Sequence, residues 1–439
     1  MIHVLLRYIG IKTKLIDKIK EQIDLITPKN GCILDLFAGS TIVGQSLMDD
    51  YVVYSNDIQQ YSCAVAKATL KISSNIDYSL IDYKKIIESD FFKHNLDYLK
   101  MIFKNPYSYE KDLLNKLKTN EPDLKTLLEF KNYYDNTPYL NNYNDKLSCF
   151  KDMEKIYSFE FYNDLKKTRK NYALFCINYA CPYFSIKQAM FIDSYRFALD
   201  KLKENKIISQ EEYYIYLSML IYYVGNIVTS VGDHYAQPQR LKISSEKRLQ
   251  REVIKIIKKK TLDVEACFKN IQEEFQKITY KDKNKENKVF CCDYKDLFEE
   301  EFKKYMEKVD TIYIDPPYTN AHYSRFYHIL ETLVKYDYPN IEFFGRYRND
   351  RYQSPFCIKS QAGNEFDNII KLSNANKKNL VISYSDTSQC IITKNEIIEI
   401  CKKYYNNVLV NEIDYLYRNF GQKPNKVTGN ELLIICQKD

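Results

Sequence analysis

The chain of 439 residues is long enough for two or three domain-sized cores, and its hydrophobic fraction of 45% is ordinary for a globular protein. No apolar stretch reaches membrane-spanning length, and residues 1–7 are too short and too soon charged for a signal peptide, so we expect a cytoplasmic protein with no membrane partner. Twelve cysteines without a C-x-x-C pair favour reduced thiols over a zinc site. The net charge of +7 is modest.

The first predicted helix spans residues 13–26 and follows an aromatic-x-Gly-x-Lys sequence. Tyr8, Gly10 and Lys12 place a ring, a flexible turn and a cation immediately before this helix. On the residues alone, this is an ordinary helix start with solvated lysines.

A predicted buried strand over residues 31–36 contains Asp35 and continues into Phe37, Ala38 and Gly39 before a second helix. This small-residue turn permits close approach of a ligand, and the N–H groups of the helix favour a polar or anionic group. The turn lacks G-x-G-x-x-G, which argues against a dinucleotide pyrophosphate site.

The second predicted strand, residues 51–55, is followed by Asp57 and Ile58. An acidic side chain at this place can take the hydroxyls of a ribose. Alternatively, Asp57 only caps the helix predicted over residues 61–72. The residues themselves do not choose between the two roles.

A block of more than two hundred residues, about 73–287, then interrupts the strands and is typical of an inserted, mainly helical domain. We predict helices over residues 152–165, 186–204, 211–227 and 246–278. Residues 240–260 contain nine lysines and arginines and only two glutamates, a basic stripe that suits a polyanion or is merely a solvated helix face. Before and within this stripe lie residue types that read bases or contact phosphates, namely Gln237, Arg240, Lys242 and Arg248.

The third predicted strand, residues 289–291, leads to Asp293 and Tyr294, and on the residues alone Asp293 can be a plain helix cap. The fourth, residues 309–314, ends in Asp-Pro-Pro-Tyr at positions 315–318. A carboxylate, a rigid turn and a ring are therefore presented together at the carboxyl end of a strand, where open α/β sheets bind ligands. The two prolines offer carbonyls and no N–H donors, which suits a planar base with an exocyclic amine. The alternative is an ordinary strand-ending turn.

Tyr323 and Arg325 follow this corner closely enough to meet the phosphates of a bound nucleotide. Arg346 and Arg348 lie further on, in a segment where basic and aromatic residues alternate. We expect His322 and His328 to be structural, because the chemistry suggested by the corner needs no strong base. Their six-residue spacing also does not place both on one face of a helix.

Three more strands are predicted over residues 380–383, 408–412 and 432–435, with a helix over 394–404 between the first two. Alternation of strands and helices predicts a doubly wound α/β sheet. The last two strands are joined without an evident helix, so we expect them to pair antiparallel.

Taken in order, these motifs resemble those of the group α adenine-specific DNA methyltransferases, the DNA adenine methylase family. The resemblance implies a Rossmann-like, seven-stranded methyltransferase sheet, mostly parallel with one antiparallel strand, in residues 1–72 and 288–439. It implies a target-recognition role for the mainly helical insert, 73–287. It also implies catalysis at Asp315, Pro316, Pro317 and Tyr318, where an adenine that has left the duplex is methylated on its N6 amine.

The implied cofactor is S-adenosylmethionine, with Lys12 near its carboxylate. The resemblance assigns its binding to Tyr8, Gly10, Lys12, Asp35, Phe37, Ala38, Gly39, Asp57, Ile58, Asp293 and Tyr294. The implied substrate is double-stranded DNA, so the resemblance places the protein at the nucleoid. A separately encoded restriction endonuclease is a candidate partner. The implied reaction requires no metal. We expect DNA contacts from Gln237, Arg240, Lys242, Arg248, Tyr323, Arg325, Arg346 and Arg348. Alternatives are methylation of the cytosine amine or of RNA, and a nucleic-acid binding module without turnover.

Overall fold

A computed structural model describes residues 12–71, 76–118, 122–140, 142–278, 286–387, 390–417 and 427–438. The chain divides into two compact units. The sheet unit contains the described parts of Met1–Ile76, Ile278–Phe326 and Arg351–Asp439. The helical unit contains those of Asp77–Lys277 and Tyr327–Asp350, so a short segment that follows the fourth strand is grouped with the long insert.

The sheet unit is built on seven strands in the order β3-β2-β1-β4-β7-β9-β8. Strand β9 runs antiparallel to β7 and β8, and the other pairs are parallel, which confirms the predicted fold class and the antiparallel pairing of the last two strands. The strands in chain order are β1 Cys32–Asp35, β2 Val52–Asn56, β3 Lys288–Phe290, β4 Thr311–Ile314, β5 Ile341–Glu342, β6 Tyr347–Arg348, β7 Asn379–Asp386, β8 Asn407–Tyr417 and β9 Val427–Gln437.

Helices cover both faces of this sheet, and neighbouring residues of one strand therefore enter different cores. Ile33 packs in one apolar cluster and Leu34 in the other, because successive side chains of a strand point to opposite faces. This double burial explains why the central strands are continuously apolar. The helices of the sheet unit are α1 Ile16–Ile26, α2 Ile42–Leu47, α3 Gln60–Thr69, α14 Lys303–Met306, α15 Tyr323–Phe326, α17 Lys359–Ala375 and α18 Lys394–Tyr404.

The helical unit contains α4 Lys84–Ile87, α5 Asp90–Ile102, α6 Lys104–Leu117, α7 Leu124–Asn136, α8 Phe159–Thr168, α9 Leu174–Asn178, α10 Ile186–Glu204, α11 Gln210–Ile227, α12 Glu246–Lys260, α13 Val264–Gln276 and α16 His328–Lys335. Its centre is α10, which begins at a capping box formed by Ser185 and Gln188. The single helix predicted over 246–278 is wrong, because α12 ends at Lys260 and Asp263 caps a new helix by accepting from the Ala266 amide. Strands β5 and β6 form a separate antiparallel hairpin in this unit.

Within the described ranges, no helix is both long enough and apolar enough to cross a bilayer. The same ranges contain no cluster of three or more histidine, cysteine, aspartate or glutamate side chains arranged to hold a metal ion. All twelve cysteines are free thiols, and eight of them are buried.

Candidate functional site

The Asp-Pro-Pro-Tyr corner lies at the carboxyl end of β4, between β1 and β7 in the middle of the sheet. All four residues of β4 are buried, as expected for a central strand of β-branched and aromatic residues. Pro316 and Pro317 end the strand because proline cannot donate to a central ladder. The side chain of Asp315 keeps 21% of its surface exposed, and the ring of Tyr318 packs 5.9 Å from that of Tyr384.

A buried ionic network holds this corner. The ammonium of Lys12 lies 3.1 Å from Asp315 Oδ1 and 2.6 Å from Glu431 Oε1. Ser383 donates to the same Glu431 oxygen, with 2.6 Å between the two atoms. The Lys12 ammonium therefore pairs with two carboxylates. Glu431 of β9 is one of them, and Ser383 of β7 holds Glu431 in place.

The network sets the protonation of its members. Burial raises the pKa of Asp315 to about 6, with the nearby Lys12 ammonium opposing the shift and Glu431 adding to it. Burial disfavours the charged form of Lys12, but Asp315 and Glu431 outweigh this effect and hold the Lys12 pKa well above its usual value. At neutral pH the lysine is charged and the Asp315 carboxylate is mostly ionised.

The turn after β1 is tied to the end of β2. Asp57 accepts hydrogen bonds from the amides of Gly39 at 2.8 Å and Gln59 at 2.9 Å. The Ala38 amide donates to the Asn56 carbonyl at 2.9 Å. Gly39 has a φ of 49°, in the left-handed region that favours glycine. Asp57 thus shapes the loop, whichever other role it has.

Asp35 is deeply buried, with 1% exposure. Burial raises the pKa of Asp35 to about 8, and the charges of Asp315 and Asp57 add to the shift. Its Oδ2 atom accepts no hydrogen bond from any residue that the structure describes. An unpartnered buried acceptor between two further carboxylates is a site that a positively charged ligand would stabilise.

The end of β3 contributes an aromatic wall. Tyr294 is buried, and its ring centroid lies 5.9 Å from that of Phe37 and 5.8 Å from that of Phe356. Beside it, Asp293 accepts a hydrogen bond of 3.0 Å from the hydroxyl of Tyr352. Tyr352 ends the segment of alternating basic and aromatic residues, and its hydroxyl contacts Asp293 just after β3.

These elements line a single cleft in the sheet unit. The predicted residues that it brings together are Lys12, Asp35, Phe37, Ala38, Gly39, Asp57, Ile58, Asp293, Tyr294, Asp315, Pro317, Tyr318 and Tyr323. Residues that sequence reasoning missed also line it, among them Asn56, Gln59, Tyr352 and Phe356. Glu431 was missed as well, although an acidic residue beginning the apolar run of β9 is a usable signal.

Tyr8 and Gly10 lie outside the described residues. Lys12 was expected near a cofactor carboxylate, whereas the structure pairs its ammonium with Asp315 and Glu431. Pro316 is at the corner but does not line the cleft.

Most of the residues expected to contact DNA are exposed. Gln237, Arg240, Lys242 and Arg248 are exposed in the helical unit, and Arg325 is exposed in the sheet unit. Arg248 makes an ion pair of 3.0 Å with Glu252, one turn further along α12. These side chains are accessible to a polyanion.

Arg346 and Arg348, by contrast, are buried. Arg346 is 6% exposed and donates to the carbonyls of Asn178 and Ala180 within the helical unit. Arg348 is 1% exposed, and its guanidinium bridges Asp337 and Asp350 at 2.7 to 3.0 Å. The structure therefore corrects the expectation of DNA contacts here: both guanidinium groups are used internally to hold the segment in place.

Comparison with known proteins agrees with the geometry. The family model for D12 class N6 adenine-specific DNA methyltransferases matches residues 8–400. Over 99% of its length, the chain is 26% identical to the Type II methyltransferase M.FokI of Planomicrobium okeanokoites and 24% identical to the modification methylase StsI of Streptococcus sanguinis. It covers 53% and 52% of these two relatives, so it spans about half of their length. The chain belongs to the D12 class N6 adenine-specific DNA methyltransferase family.

Proposed function

We propose that this chain transfers a methyl group from S-adenosylmethionine to the exocyclic N6 amine of adenine in double-stranded DNA. The observation that carries the proposal is the single cleft that joins the Asp315 corner to the loop after Asp35. Family membership supports the reaction class. The names of the similar modification methylases support a restriction-modification setting, in which we propose a separately encoded endonuclease as partner.

The charge of the cleft fits the cofactor. S-adenosylmethionine carries a sulfonium and an ammonium group, and when bound it supplies an electrophilic methyl group. Asp35, with an unpartnered oxygen and a pKa near 8, gains a favourable partner when a cation enters. Asp57 is placed at the end of β2, where an acid can take ribose hydroxyls, and Tyr294 and Phe37 offer an apolar wall for an adenine ring.

The corner after β4 fits the substrate amine. The lone pair of an aromatic amine is delocalised into the ring, which makes it a poor nucleophile. Hydrogen bonds from the amine to the Asp315 carboxylate would localise that lone pair and orient it. Stacking on Tyr318 would offset part of the few kcal/mol that extrusion of a base from the duplex costs.

Lys12 and Glu431 set the charge and the hydrogen-bonding capacity of Asp315. Glu431 takes one donor of the Lys12 ammonium at 2.6 Å, which keeps the lysine from neutralising Asp315 alone. Lys12 favours the ionised form of Asp315, and because Glu431 shares the ammonium, lone pairs of the Asp315 carboxylate remain available to the amine. On transfer, the sulfonium would become a neutral thioether and the methylated amine would lose one proton to solvent, so neither Lys12 nor Glu431 has to move a proton.

The helical unit is proposed to recognise the target. Its exposed Gln237, Arg240, Lys242 and Arg248 have the polar and cationic ends that base edges and phosphates require. Long-range attraction between these cations and DNA would be strong at low salt and weak at high salt. Tyr323 and Arg325 of the sheet unit would hold the nucleotide that enters the cleft.

The decisive experiment incubates the chain with methyl-labelled S-adenosylmethionine and either duplex DNA or RNA, and then identifies the labelled nucleoside. We expect N6-methyladenine in DNA. Label on cytosine or in RNA would replace the proposed substrate, and binding without any label would indicate a module that lacks turnover. Long-read sequencing of DNA from an expressing host would locate the methylated adenines and define the recognised sequence.

A further inference from the structure

A short segment of the sheet unit, residues 352–357, runs along the cleft and has no role in the function proposed above. It ends in the 3₁₀ turn Pro355–Cys357. Three of its side chains, those of Tyr352, Ser354 and Phe356, line the cleft. Tyr352 is half-buried and Phe356 is buried. The segment therefore forms part of the wall that a bound molecule meets.

Contacts within the sheet unit hold this segment in place. Near its start, the Ser324 hydroxyl donates to the backbone carbonyl of Tyr352 at 2.5 Å. Near its end, the ring of Phe356 packs with its centroid 5.4 Å from that of Phe37 and 5.8 Å from that of Tyr294. These contacts fix the position of Tyr352 beside the end of β3.

The hydroxyl of Tyr352 holds a carboxylate of the cleft. It donates to Asp293 Oδ2 at 3.0 Å, while Asp293 Oδ1 accepts from the Lys295 amide at 3.1 Å. Burial and the charge of Asp293 raise the pKa of Tyr352, so the hydroxyl stays protonated and donates at neutral pH. An ionised carboxylate has about four lone-pair positions, and these two bonds leave acceptor capacity for a ligand.

The surroundings of Asp293 suit an aromatic amine. Asp293 lines the cleft directly beside Tyr294, whose ring forms an apolar wall with those of Phe37 and Phe356. A purine against this wall presents an exocyclic amine at its edge, and an ionised carboxylate can only accept hydrogen bonds. A carboxylate that is already oriented binds such an amine more tightly than one free to rotate, because less conformational freedom is lost on binding.

We propose that Tyr352 is a positioning residue that makes the cleft selective for the 6-amine of the cofactor's adenine, because its hydroxyl orients the Asp293 carboxylate to accept from that amine. This inference rests on the function proposed above and concerns its cofactor site. Tyr352 acts through Asp293 rather than on the amine itself. Without the hydroxyl, the carboxylate would be free to turn toward water, and the preference for an amine would shrink.

The test uses two probes that bind without turnover. One is S-adenosylhomocysteine, and the other is its analogue in which hydrogen replaces the 6-amine. In calorimetric titrations the wild type should bind the amine-bearing probe about tenfold or more tightly, as for one hydrogen bond to a charged group. In Tyr352→Phe, affinity for S-adenosylhomocysteine should fall about three- to tenfold, whereas affinity for the analogue should stay unchanged.

Three further variants separate this role from general damage. Tyr404→Phe removes another hydroxyl of the sheet unit, which donates to Asp367 at 2.9 Å outside the cleft, and should leave both affinities unchanged. In an Asp293→Ala background, Tyr352→Phe should have no further effect, because the carboxylate it orients is gone. Ser324→Ala loosens the backbone of Tyr352 and should reduce the preference for the amine in the same direction, by a smaller factor.

Equal losses of affinity for both probes in Tyr352→Phe would make the residue merely structural and overturn the inference. Tighter binding of S-adenosylhomocysteine would also overturn it, because the hydroxyl would then compete with the amine for Asp293. A wild-type chain that binds both probes equally would overturn the selectivity and leave the proposed cofactor in place. A wild-type chain that binds neither probe and labels no nucleoside would overturn the proposed function, and this inference with it.

Discussion

The sheet unit and the helical unit both contain clusters of charged side chains, but these are buried in the sheet unit and exposed to solvent in the helical unit. In the cleft of the sheet unit, Asp35, Asp315 and Lys12 are withdrawn from water, so each charge alters the protonation of its neighbours. In the helical unit, Arg240 and Lys242 stay in water and are accessible to any polyanion. Chemistry needs the first environment, because electrostatic effects are strong where water is excluded. Attraction and binding of a polyanion need cations that are exposed to solvent.

The strongest test of the buried environment is Asp315→Asn. The amide keeps the shape but loses the anionic acceptor, so we expect kcat to fall by about 10²- to 10³-fold. S-adenosylmethionine binding, measured by calorimetry, should change little. Asp367→Asn, which removes a surface carboxylate paired with Lys403, is the matched control and should be silent.

The second test is Asp35→Asn, which should weaken S-adenosylmethionine binding by roughly 10- to 100-fold. In the wild type, affinity should rise with pH up to about 8, because the ionised carboxylate is the form that binds a cation. The folded-state pKa is raised above the unfolded one, so this group's stabilising contribution is present in full below about pH 4 and is lost as pH rises through 8. Thermal unfolding without cofactor should show Tm falling between pH 5 and 8, and less so in the variant. An unchanged affinity–pH profile in Asp35→Asn would contradict the assignment.

Arg348→Ala tests the helical unit. The sequence predicted that Arg348 contacts DNA, but its side chain is buried. Loss of its bridge between Asp337 and Asp350 should lower the free energy of unfolding by about 1–3 kcal/mol, a modest range because both acids are partly exposed. Denaturant unfolding measures this change. The salt dependence of DNA binding should stay as in the wild type, and a reduced slope would place Arg348 on phosphate after all.

Glu431→Gln removes one charge of the cleft network and keeps its shape. Lys12 would then pair with Asp315 alone, and we expect kcat to fall about tenfold as the acceptor is neutralised. Glu431 raises the Asp315 pKa, so its removal should lower that pKa and move the acid limb of the kcat/KM profile to lower pH. Glu399→Gln, an exposed carboxylate on α18, is the control. An acid limb shifted to higher pH would refute this role.

The smallest effect is expected for Arg240→Gln and Lys242→Gln. Each should weaken DNA binding a few-fold and lower the slope of log K against log salt by about 1, as for one lost phosphate contact. Binding titrations at several salt concentrations give both numbers. A loss of affinity restricted to one recognised sequence would instead assign the residue to a base.

Much of the sheet unit was predictable because its signals are local. Each strand is a short apolar run, and Asp35, Asp293 and Asp315 follow strands directly, so parallel pairing alone brings them to one edge. The helical unit was less predictable. Its single long helix over 246–278 is two helices, and the alternating basic and aromatic segment around residue 348 proved to be internal.

The amino-acid sequence by itself determined the alternation of strands and helices, the insert and the residues that end the strands, because these depend on neighbours in the chain. Only the tertiary structure decided which charges are buried. Lys12 meets Glu431 across 419 positions, and Arg240 meets Phe344 across more than a hundred. Such pairs form through packing between distant segments, and no local pattern encodes whether an arginine ends in water or between two aspartates.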